Sequence, residues 1–441
     1  MFRNSFAKKL VRYTREFFAH HPEVKLIAVT GSAGKTSAKM AVATVLSRQY
    51  AVGMTEAEPN SQLQVLLQIM GVRYPDTPEA QWGWRQRRQL LKAVKRRARA
   101  ERPEVQVIVQ EFNASDLGYM EWFRSVVLPD IAVITSVTTG RMLVDHAVEA
   151  VAREMLTMAN HARFALINRD DIDGRFAAFL TNPQLSTYGT TSVAEYYFQQ
   201  QSFSPEDGYQ GRVYGPDCPD GIAATLSLLG EHNLRPAVAA VAVGLRLGVS
   251  PQHIAEGLSL LRPLPGRMQL LRGADDTWLI DDSYSSSPLT ASSALQTLYE
   301  IETPQRIAVL GTMNGLRESA PQGHAALGAE CSPELLDWVV TVGDMANQHL
   351  APAARQKGCQ VKTCRDAIEA GAFVREKLRP RGVALFKGSS GGVWLEEAVK
   401  NNLRSLADES RLVRQSTAWL AHKAAFFSRF QDSATIKQKS K

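Results

Sequence analysis

The chain has 441 residues and a formal net charge of +7 at pH 7; 44% of its residues are hydrophobic and 22% are charged. This length accommodates two or three domains with full cores, and the composition is that of a globular rather than a disordered chain. We expect neither a membrane span nor a cleaved signal peptide, because no apolar run reaches ~18 residues. The four cysteines lack C-x-x-C spacing, which favours reduced thiols in the cytosol over disulfides or a zinc site.

Residues 1–22 predict an amphipathic basic helix. The apolar side chains at helical spacing are Phe2, Phe6, Leu10, Tyr13 and Phe17, and Lys and Arg residues fall mostly between them. Such a helix either lies on a membrane surface or packs its aromatic stripe on the following domain. The second alternative is the commoner one for stripes of this kind.

A glycine-rich turn follows an apolar run at 26–29 and leads into a segment with helical spacing. The turn and the first helical residues are Gly31, Ser32, Ala33, Gly34, Lys35, Thr36 and Ser37. Strand, glycine turn and helix start together are typical of a loop that directs N–H groups and a helix dipole at a phosphate. Lys35 would reach the outer phosphates and the Thr36 hydroxyl would bind Mg2+. The general G-x4-G-K-T spacing is not met, so an ordinary turn between strand and helix is the alternative.

Residues 23–262 alternate between predicted strands and helices, which favours a mostly parallel sheet with helices on both faces. The predicted strands are 24–30, 105–112, 131–137 and 164–168, and the predicted helices are 35–49, 61–70, 82–100, 146–160 and 233–247. Residues 186–220 predict short antiparallel strands inserted into this domain. The helix at 82–100 carries eight Lys and Arg residues; it is either a patch for an anionic substrate or a solvated face. No motif makes nucleic acid the first choice of partner.

Two prolines and a glycine within 262–267 mark a domain boundary. Alternation then resumes over 263–405 and predicts a second α/β domain. Its predicted strands are 277–281, 306–310, 338–342 and 383–386, and its predicted helices are 288–301 and 320–330. Residues 406–441 predict a helix followed by a disordered, Lys-rich tail.

Several motifs between about 24 and 403 together resemble those of the Mur ligases, the enzymes that join amino acids or peptides to cell-wall precursors. The motif residues are 30–37 (TGSAGKTS), Asn60-Ser61, Glu111, 168–171 (NRDD), 230–233 (GEHN), 265–267 (PGR), 281–284 (DDSY) and 387–389 (KGS). The last two resemble the branch that adds D-alanyl-D-alanine to the UDP-linked tripeptide. The resemblance implies an ATP-binding α/β domain with a central, mostly parallel sheet, followed by a Rossmann-like C-terminal domain.

The resemblance also implies roles for particular residues. The loop at 31–37 would hold the ATP phosphates, and Thr36 and Glu111 would bind Mg2+. His232 and Asn233 would lie near the adenine, although a polar pair at a helix N-terminus also reads as a cap. The remaining residues assigned to the site by this resemblance are Arg267, Asp281 and Lys387. Arg267 would reach the ATP phosphates from a hinge that couples nucleotide binding to domain closure.

Three departures from the family pattern stand out. The ATP loop begins so early that we expect the UDP-binding N-terminal domain to be missing. The family's GDM is Gly311-Thr312-Met313 here. The family's His-x-Glu and carbamylated lysine, which support a second Mg2+, align with Arg141, Leu143 and Met155, and His146 lies five positions away. Because the ligands of one metal are lost together, we hypothesise that Arg141 supplies a fixed positive charge in its place.

The implied activity is ATP-dependent amide-bond formation through an acyl phosphate, in peptidoglycan precursor or related envelope synthesis in the cytoplasm. The implied partners are ATP, a cell-wall precursor or other carboxylate acceptor, and an amino acid or dipeptide. Contacts with cell-wall enzymes, or with the inner membrane face through the basic ends, stay open. Two alternatives are a non-catalytic, ATP-binding scaffold or regulator and a ligase outside wall synthesis that resembles polyglutamate-adding enzymes.

Overall fold

The computed structural model describes residues 2–55, 59, 61–75, 77, 79–113, 117–137 and 148–438. The chain divides into two compact units. Unit 1 comprises Met1–Phe203, Tyr209–Leu226 and Asn233–Leu261, and unit 2 comprises Ser204–Gly208, Ser227–His232 and Arg262–Lys441.

Unit 1 is built on a mostly parallel sheet with the strand order β2-β3-β1-β4-β5-β6-β7-β8-β9. Its strands are β1 Lys25–Thr30, β2 Val52–Gly53, β3 Val107–Glu111, β4 Ile131–Ile134, β5 Phe164–Asn168, β6 Leu185–Gly189, β7 Tyr196–Ser204, β8 Gly208–Gly215 and β9 Cys218–Leu226. Its helices are α1 Phe2–His20, α2 Lys35–Leu46, α3 Gln62–Ile69, α4 Trp84–Ala98, α5 Tyr119–Arg124, α6 Val148–His161, α7 Leu234–Arg246 and α8 Pro251–Ser259. β1 pairs in parallel with both β3 and β4, so the carboxyl end of β1 lies between the carboxyl ends of these two strands.

The predicted antiparallel insertion at 186–220 is right only in part. β8 and β9 form an antiparallel pair, as expected. β6, in contrast, pairs in parallel with β5 and continues the main sheet. Its Tyr188 side chain is buried, so this strand belongs to the core layer rather than to a surface hairpin.

The aromatic stripe of α1 packs inside unit 1. Phe6, Leu10, Tyr13 and Phe17 are all less than 9% exposed and join the core cluster that includes Leu90 of α4. These four side chains are therefore core, and Lys8, Lys9, Arg12 and Arg15 lie on the exposed side of the helix.

Unit 2 contains a second sheet with the strand order β10-β11-β15-β12-β13-β14. Its strands are β10 Gln269–Arg272, β11 Trp278–Asp282, β12 Arg306–Gly311, β13 Trp338–Val342, β14 Val361–Cys364 and β15 Val383–Lys387. Its helices are α9 Pro288–Glu300, α10 Ala320–Ala329, α11 Ala351–Gln356, α12 Ala367–Lys377, α13 Glu396–Lys400 and α14 Thr417–Gln438. β10 is antiparallel to β11, and the other pairs are parallel. The predicted α/β fold class, with a parallel sheet in each domain, is confirmed.

α14 ends at Gln438, well into the Lys-rich end of the chain. Over the described ranges, no helix combines the length and the apolar character that crossing a bilayer requires. The four cysteines, Cys218, Cys331, Cys359 and Cys364, are all buried as free thiols. Burial raises the pKa of each thiol, to about 11 for Cys218 and to about 12 for Cys331.

Candidate active site

The glycine loop between β1 and α2 needs glycine at both of its ends. Gly31 has φ 141°, and a Cβ atom there would lie 2.2 Å from the Thr135 hydroxyl and 2.8 Å from the Ser136 nitrogen. Gly34 has φ 77° in the left-handed region, which glycine adopts at little cost, and α2 begins directly after it. These two residues let the loop pass close to the end of β4 and still begin a helix.

The loop is held in place by the residues that follow β4. Ser32 N donates to Ser136 O at 3.0 Å, and Ala33 N donates to Ser136 Oγ at 2.8 Å. The Thr135 hydroxyl donates to Ala33 O at 2.5 Å. The sequence predicts that loop amides point at a phosphate, but these two amides serve the loop itself. The N–H groups of the first turn of α2, starting at Lys35, are further candidate donors to a phosphate.

The NRDD turn at 168–171 contacts the residues after β4 that hold the glycine loop. Asn168 Nδ2 donates to Thr135 O at 2.6 Å and to Asp171 Oδ2 at 2.8 Å. Arg235 of α7 pairs with Asp170 at 3.0 Å and with Asp171 at 3.1 Å. This turn is structural: it links the residues that hold the loop to α7.

Lys35, Thr36 and Glu111 come together at the start of α2. The Lys35 ammonium donates to Gly31 O at 2.9 Å, so it lies across the loop. The Thr36 hydroxyl donates to Glu111 Oε2 at 3.2 Å. Glu111 ends β3, which is adjacent to β1, as the family resemblance implies.

Lys39 is a buried member of this site that sequence reasoning missed. Its ammonium is 3.4 Å from Glu111 Oε2, and both side chains are 1% exposed. The ammonium also donates to Thr55 O at 2.9 Å. The available signal was its spacing: Lys39 follows Thr36 by three positions, so both share one face of α2.

The altered metal region is described only at Met155. Arg141, Leu143, His146 and Asn60 lie outside the described residues. Met155 is 4% exposed, and its sulfur is 3.7 Å from the Thr30 hydroxyl at the end of β1. The position aligned with the family's carbamylated lysine is thus filled by an apolar core side chain.

His232 and Asn233 form a short 3-10 turn before α7, and both are half-buried. Asn233 stands at the N-cap position with φ −83° and ψ −7°, which is helical. Side-chain caps use extended backbone, so capping does not explain this residue.

The motif residues of unit 2 form a second cluster. The Lys387 ammonium is 2.9 Å from Asp282 Oδ2 and donates to Ser285 O at 2.6 Å. Asp282 and Lys387 are direct neighbours on the parallel strands β11 and β15. Burial raises the pKa of Asp282, while the Lys387 ammonium beside it opposes that shift. The Arg267 guanidinium lies 4.2 Å from the centroid of the Tyr284 ring.

Asp281 is fully buried. Its Oδ1 accepts a hydrogen bond from Ser283 N at 3.1 Å, whereas Oδ2 has no hydrogen-bond partner among the residues described. Burial raises the pKa of its carboxyl group to about 6, and the nearby carboxylates of Glu396 and Asp282 add to the shift. The Asp281 side chain has no exposed surface in this structure, and its contact with ATP stays a prediction.

Unit 1 also contains a cavity of about 420 Å³ apart from the loop. Residues of α1, α3, α4 and α5, and of the segments just before α3 and α4, line it, including Phe6, Ser61, Trp82, Arg87 and Trp122. Arg87 is fixed there by hydrogen bonds to the carbonyls of Trp82 and Glu79 at 2.9 and 2.8 Å. The cavity thus combines aromatic walls with a held guanidinium.

A parallel sheet with a glycine loop after β1 and a buried carboxylate at the end of the adjacent strand defines the class: this is a phosphate-loop nucleotide-binding protein. Comparison with known families gives the next step. Residues 29–244 match the Mur ligase middle domain, and residues 266–390 match the Mur ligase glutamate ligase domain. Together the two matches cover more than half of the chain. The chain belongs to the Mur ligase family.

Individual relatives agree with this assignment. The UDP-N-acetylmuramoyl-tripeptide–D-alanyl-D-alanine ligase of Bacillus subtilis is 28% identical over 396 residues, which are 86% of this chain and 76% of that protein. The Escherichia coli ligase of the same name is 22% identical over 327 residues, covering 73% and 65% of the two chains.

Solved structures show the same fold. MurF from Acinetobacter baumannii superposes with a TM-score of 0.71 at 23% identity, covering 89% of this chain and 79% of that chain. MurF from Thermotoga maritima, solved in complex with ADP, has a TM-score of 0.70 at 18% identity, covering 89% and 82%. Mur ligases are ATP-dependent, and this chain is an ATP-dependent carboxylate–amine ligase. All the relatives named here are ligases, which supports an enzyme over a non-catalytic scaffold.

Proposed function

We propose that this ligase extends a peptidoglycan precursor, joining the amine of an amino acid or dipeptide to a carboxylate of a UDP-MurNAc-peptide or related acceptor. The observation that carries the proposal is the Thr36–Glu111 pair beside Lys35 at the glycine loop. The B. subtilis and E. coli relatives of this chain are both named UDP-N-acetylmuramoyl-tripeptide–D-alanyl-D-alanine ligase. A folylpolyglutamate synthase from T. maritima superposes with a TM-score of 0.56, against 0.71 for MurF, so we rank envelope substrates above polyglutamate addition.

The residues at the loop suit Mg2+ as well as ATP. The Thr36 hydroxyl and Glu111 Oε2 are 3.2 Å apart, close to the roughly 3 Å between neighbouring oxygen ligands of octahedral Mg2+. Mg2+ bound there would neutralise charge on the transferred phosphoryl group.

The proposed reaction has two steps. An acceptor carboxylate oxygen attacks the γ-phosphorus of ATP, and the bond from that phosphorus to the β–γ bridging oxygen breaks. ADP departs, and the acceptor is now an acyl phosphate. An uncharged amine then attacks the acyl carbon, inorganic phosphate departs with the electrons of the carbon–oxygen bond, and one proton passes from the nitrogen to phosphate or water. Lys35 and the first turn of α2 stabilise the charge on the phosphoryl oxygens, and a phosphate contact of Arg267 stays a prediction.

The acceptor has two candidate contacts in unit 1. The cavity beside α4 offers aromatic walls and the held guanidinium of Arg87, which suit a ring with an anionic substituent. The exposed face of α1 and α4 is rich in Lys and Arg, which suits the phosphates of a nucleotide-linked or lipid-linked acceptor or an anionic membrane face. A cytosolic location of the protein and its contacts with other cell-wall enzymes stay predictions.

Substituting Lys35 tests the proposal. Purified protein is incubated with ATP, Mg2+, a panel of muropeptide precursors and a panel of amines, and products are measured by mass and by phosphate release. We expect release that requires both a carboxylate and an amine, and Lys35→Ala should abolish it while the fold is retained. Lys25→Ala is the matched control, because Lys25 is 41% exposed at the other end of β1. Full release by Lys35→Ala would refute the assigned site.

We also propose that Arg141 supplies the positive charge of the missing second metal. The apolar Met155 at the aligned lysine position supports this, because it offers no oxygen ligand. Titration with Mn2+ in the presence of a non-hydrolysable ATP analogue should give one ion per chain. Two ions per chain would contradict the proposal.

A further inference from the structure

The segment 406–438 folds back onto unit 2, beyond residue 390, where the family match ends. Leu412 enters the core of unit 2, with Phe427 packed against that core. α14 packs against Trp394, whose ring centroid lies 5.6 Å from that of Trp419 and 6.3 Å from that of Phe426. The segment is therefore a packed part of unit 2.

Arg414 reaches from this segment to the residues after β11. Its Nη2 donates to Ser283 O at 2.8 Å, and its Nη1 donates to Tyr284 O at 3.3 Å. The same guanidinium donates to both carboxylate oxygens of Glu396, at 2.8 and 2.7 Å. Arg414 has φ 58°, a left-handed conformation that is uncommon outside glycine, so its surroundings hold its backbone.

Buried charges around Arg414 make this arrangement specific. Glu396 is fully buried and Lys423 of α14 is 2% exposed. The Lys423 ammonium is 3.5 Å from Glu396 Oε1 and also pairs with Glu397. The planar guanidinium serves a carboxylate and two carbonyls at once, whereas an ammonium offers no such fork. Loss of Arg414 would leave Glu396 with only the longer contact to Lys423.

We propose that Arg414 is a positioning residue: through it, the C-terminal segment fixes residues 281–284, and with them the Asp282–Lys387 pair and the Tyr284 ring beneath Arg267. The effect on turnover rests on the function proposed above. The mechanical coupling between Arg414 and residues 281–284 rests on the contacts of unit 2 alone.

Hydrogen exchange and kinetics on the full-length chain test both parts. We compare Arg414→Met and Arg414→Lys with Lys400→Met, a matched control. It breaks the 2.6 Å pair between Lys400 of α13 and Glu409 of the same segment without touching residues 281–284. Arg414→Met should speed exchange in the peptide spanning 281–287 and leave β13 unchanged. It should also lower kcat about 10- to 100-fold, with a smaller change in the KM for ATP. Arg414→Lys should fall between Arg414→Met and the wild type, and Lys400→Met should match the wild type.

Wild-type exchange at 281–287 in Arg414→Met, or equal effects of Lys400→Met, would overturn the proposal. If Arg414→Met fails to fold, the double variant Glu396→Gln/Arg414→Met removes both charges together and is measured in its place. If the wild type shows no ligase turnover with any substrate, the proposed function fails, while the exchange data still decide whether Arg414 holds residues 281–284.

Discussion

At the scale of residues, Glu111 is a buried carboxylate whose charge is balanced by Lys39. The two groups are 3.4 Å apart in a region almost without solvent access. Thr36 donates to the same carboxylate oxygen. A metal ion bound at Thr36 would be a second cation beside this oxygen. Lys39 and the ion would then both be neutralised by the single carboxylate of Glu111.

Substitution of Lys39 should therefore make stability depend on metal. Lys39→Met leaves Glu111 without its ion pair and should lower the free energy of unfolding by about 3 kcal/mol. Mg2+ with an ATP analogue should restore more stability to this variant than to the wild type, because the ion replaces the missing charge. Thermal unfolding with and without Mg2+ measures both effects. Lys25→Met, which loses a partly exposed pair with Asp130, should change stability by less than ~1 kcal/mol; equal behaviour of the two variants would contradict this account.

Asp281 should make unit 2 less stable as the pH rises. Its pKa is raised from 3.8 to about 6 in the folded chain. The unfolded chain therefore releases the proton first, and the stabilising contribution present below pH 4 is lost as the pH rises through 6. Between pH 4 and pH 7.5, the free energy of unfolding of Asp281→Asn should rise relative to that of the wild type by on the order of 2–3 kcal/mol, measured from urea unfolding curves. A difference that is constant with pH would exclude this role.

At the scale of elements, α1 is held by its buried stripe. Leu10 has no exposed surface and lies in the core with residues of α3 and α4. Leu10→Ala should lower the free energy of unfolding by about 3 kcal/mol, whereas Lys9→Ala on the exposed side should change it by less than ~0.5 kcal/mol. Chemical denaturation of the two variants measures this. Equal stability would mean that α1 does not pack on the domain in solution.

Local patterns predicted some elements and not others. The buried strands β1, β4 and β5 were predictable because each is an uninterrupted apolar run between turn signals. β10 and β14 were not, since each has four residues and lies at a sheet edge, where polar side chains interrupt the pattern.

The same distinction applies to the site. The loop at 31–37 is local in sequence, so its spacing alone indicated a phosphate site. The pair of Lys39 with Glu111, the hold of Ser136 on the loop and the reach of Arg414 to Ser283 join residues 72 to 131 positions apart in the chain. Such pairs depend on strand order and on how the terminal segment folds back, which no local pattern encodes.

At the scale of the whole molecule, positive charge is concentrated on unit 1. The exposed basic residues on and next to α1 and α4 are Lys8, Lys9, Arg12, Arg15, Arg85, Arg88, Lys92, Lys95, Arg96 and Arg99. Glu16 is the one acidic residue within these two helices. Trp84, 65% exposed, adds an aromatic ring suited to a lipid interface.

This face should bind anionic phospholipid. The wild type should sediment with vesicles that contain anionic lipid at about 50 mM salt and be released at about 300 mM. The triple variant Arg88→Glu/Lys92→Glu/Lys95→Glu should lose most of this binding. A matched reversal of the exposed Arg355, Lys357 and Arg379 in unit 2 should retain it. Equal binding to purely zwitterionic vesicles would rule out charge as the cause.

The burial of all four thiols has a practical consequence for studying the two units. Maleimide dyes react with accessible thiolate, and every native cysteine is both buried and shifted to a high pKa. One cysteine introduced on the surface of each unit would thus accept a donor and an acceptor fluorophore without removing any native cysteine. Energy transfer between the dyes would then follow the distance between the units through a catalytic cycle, one molecule at a time.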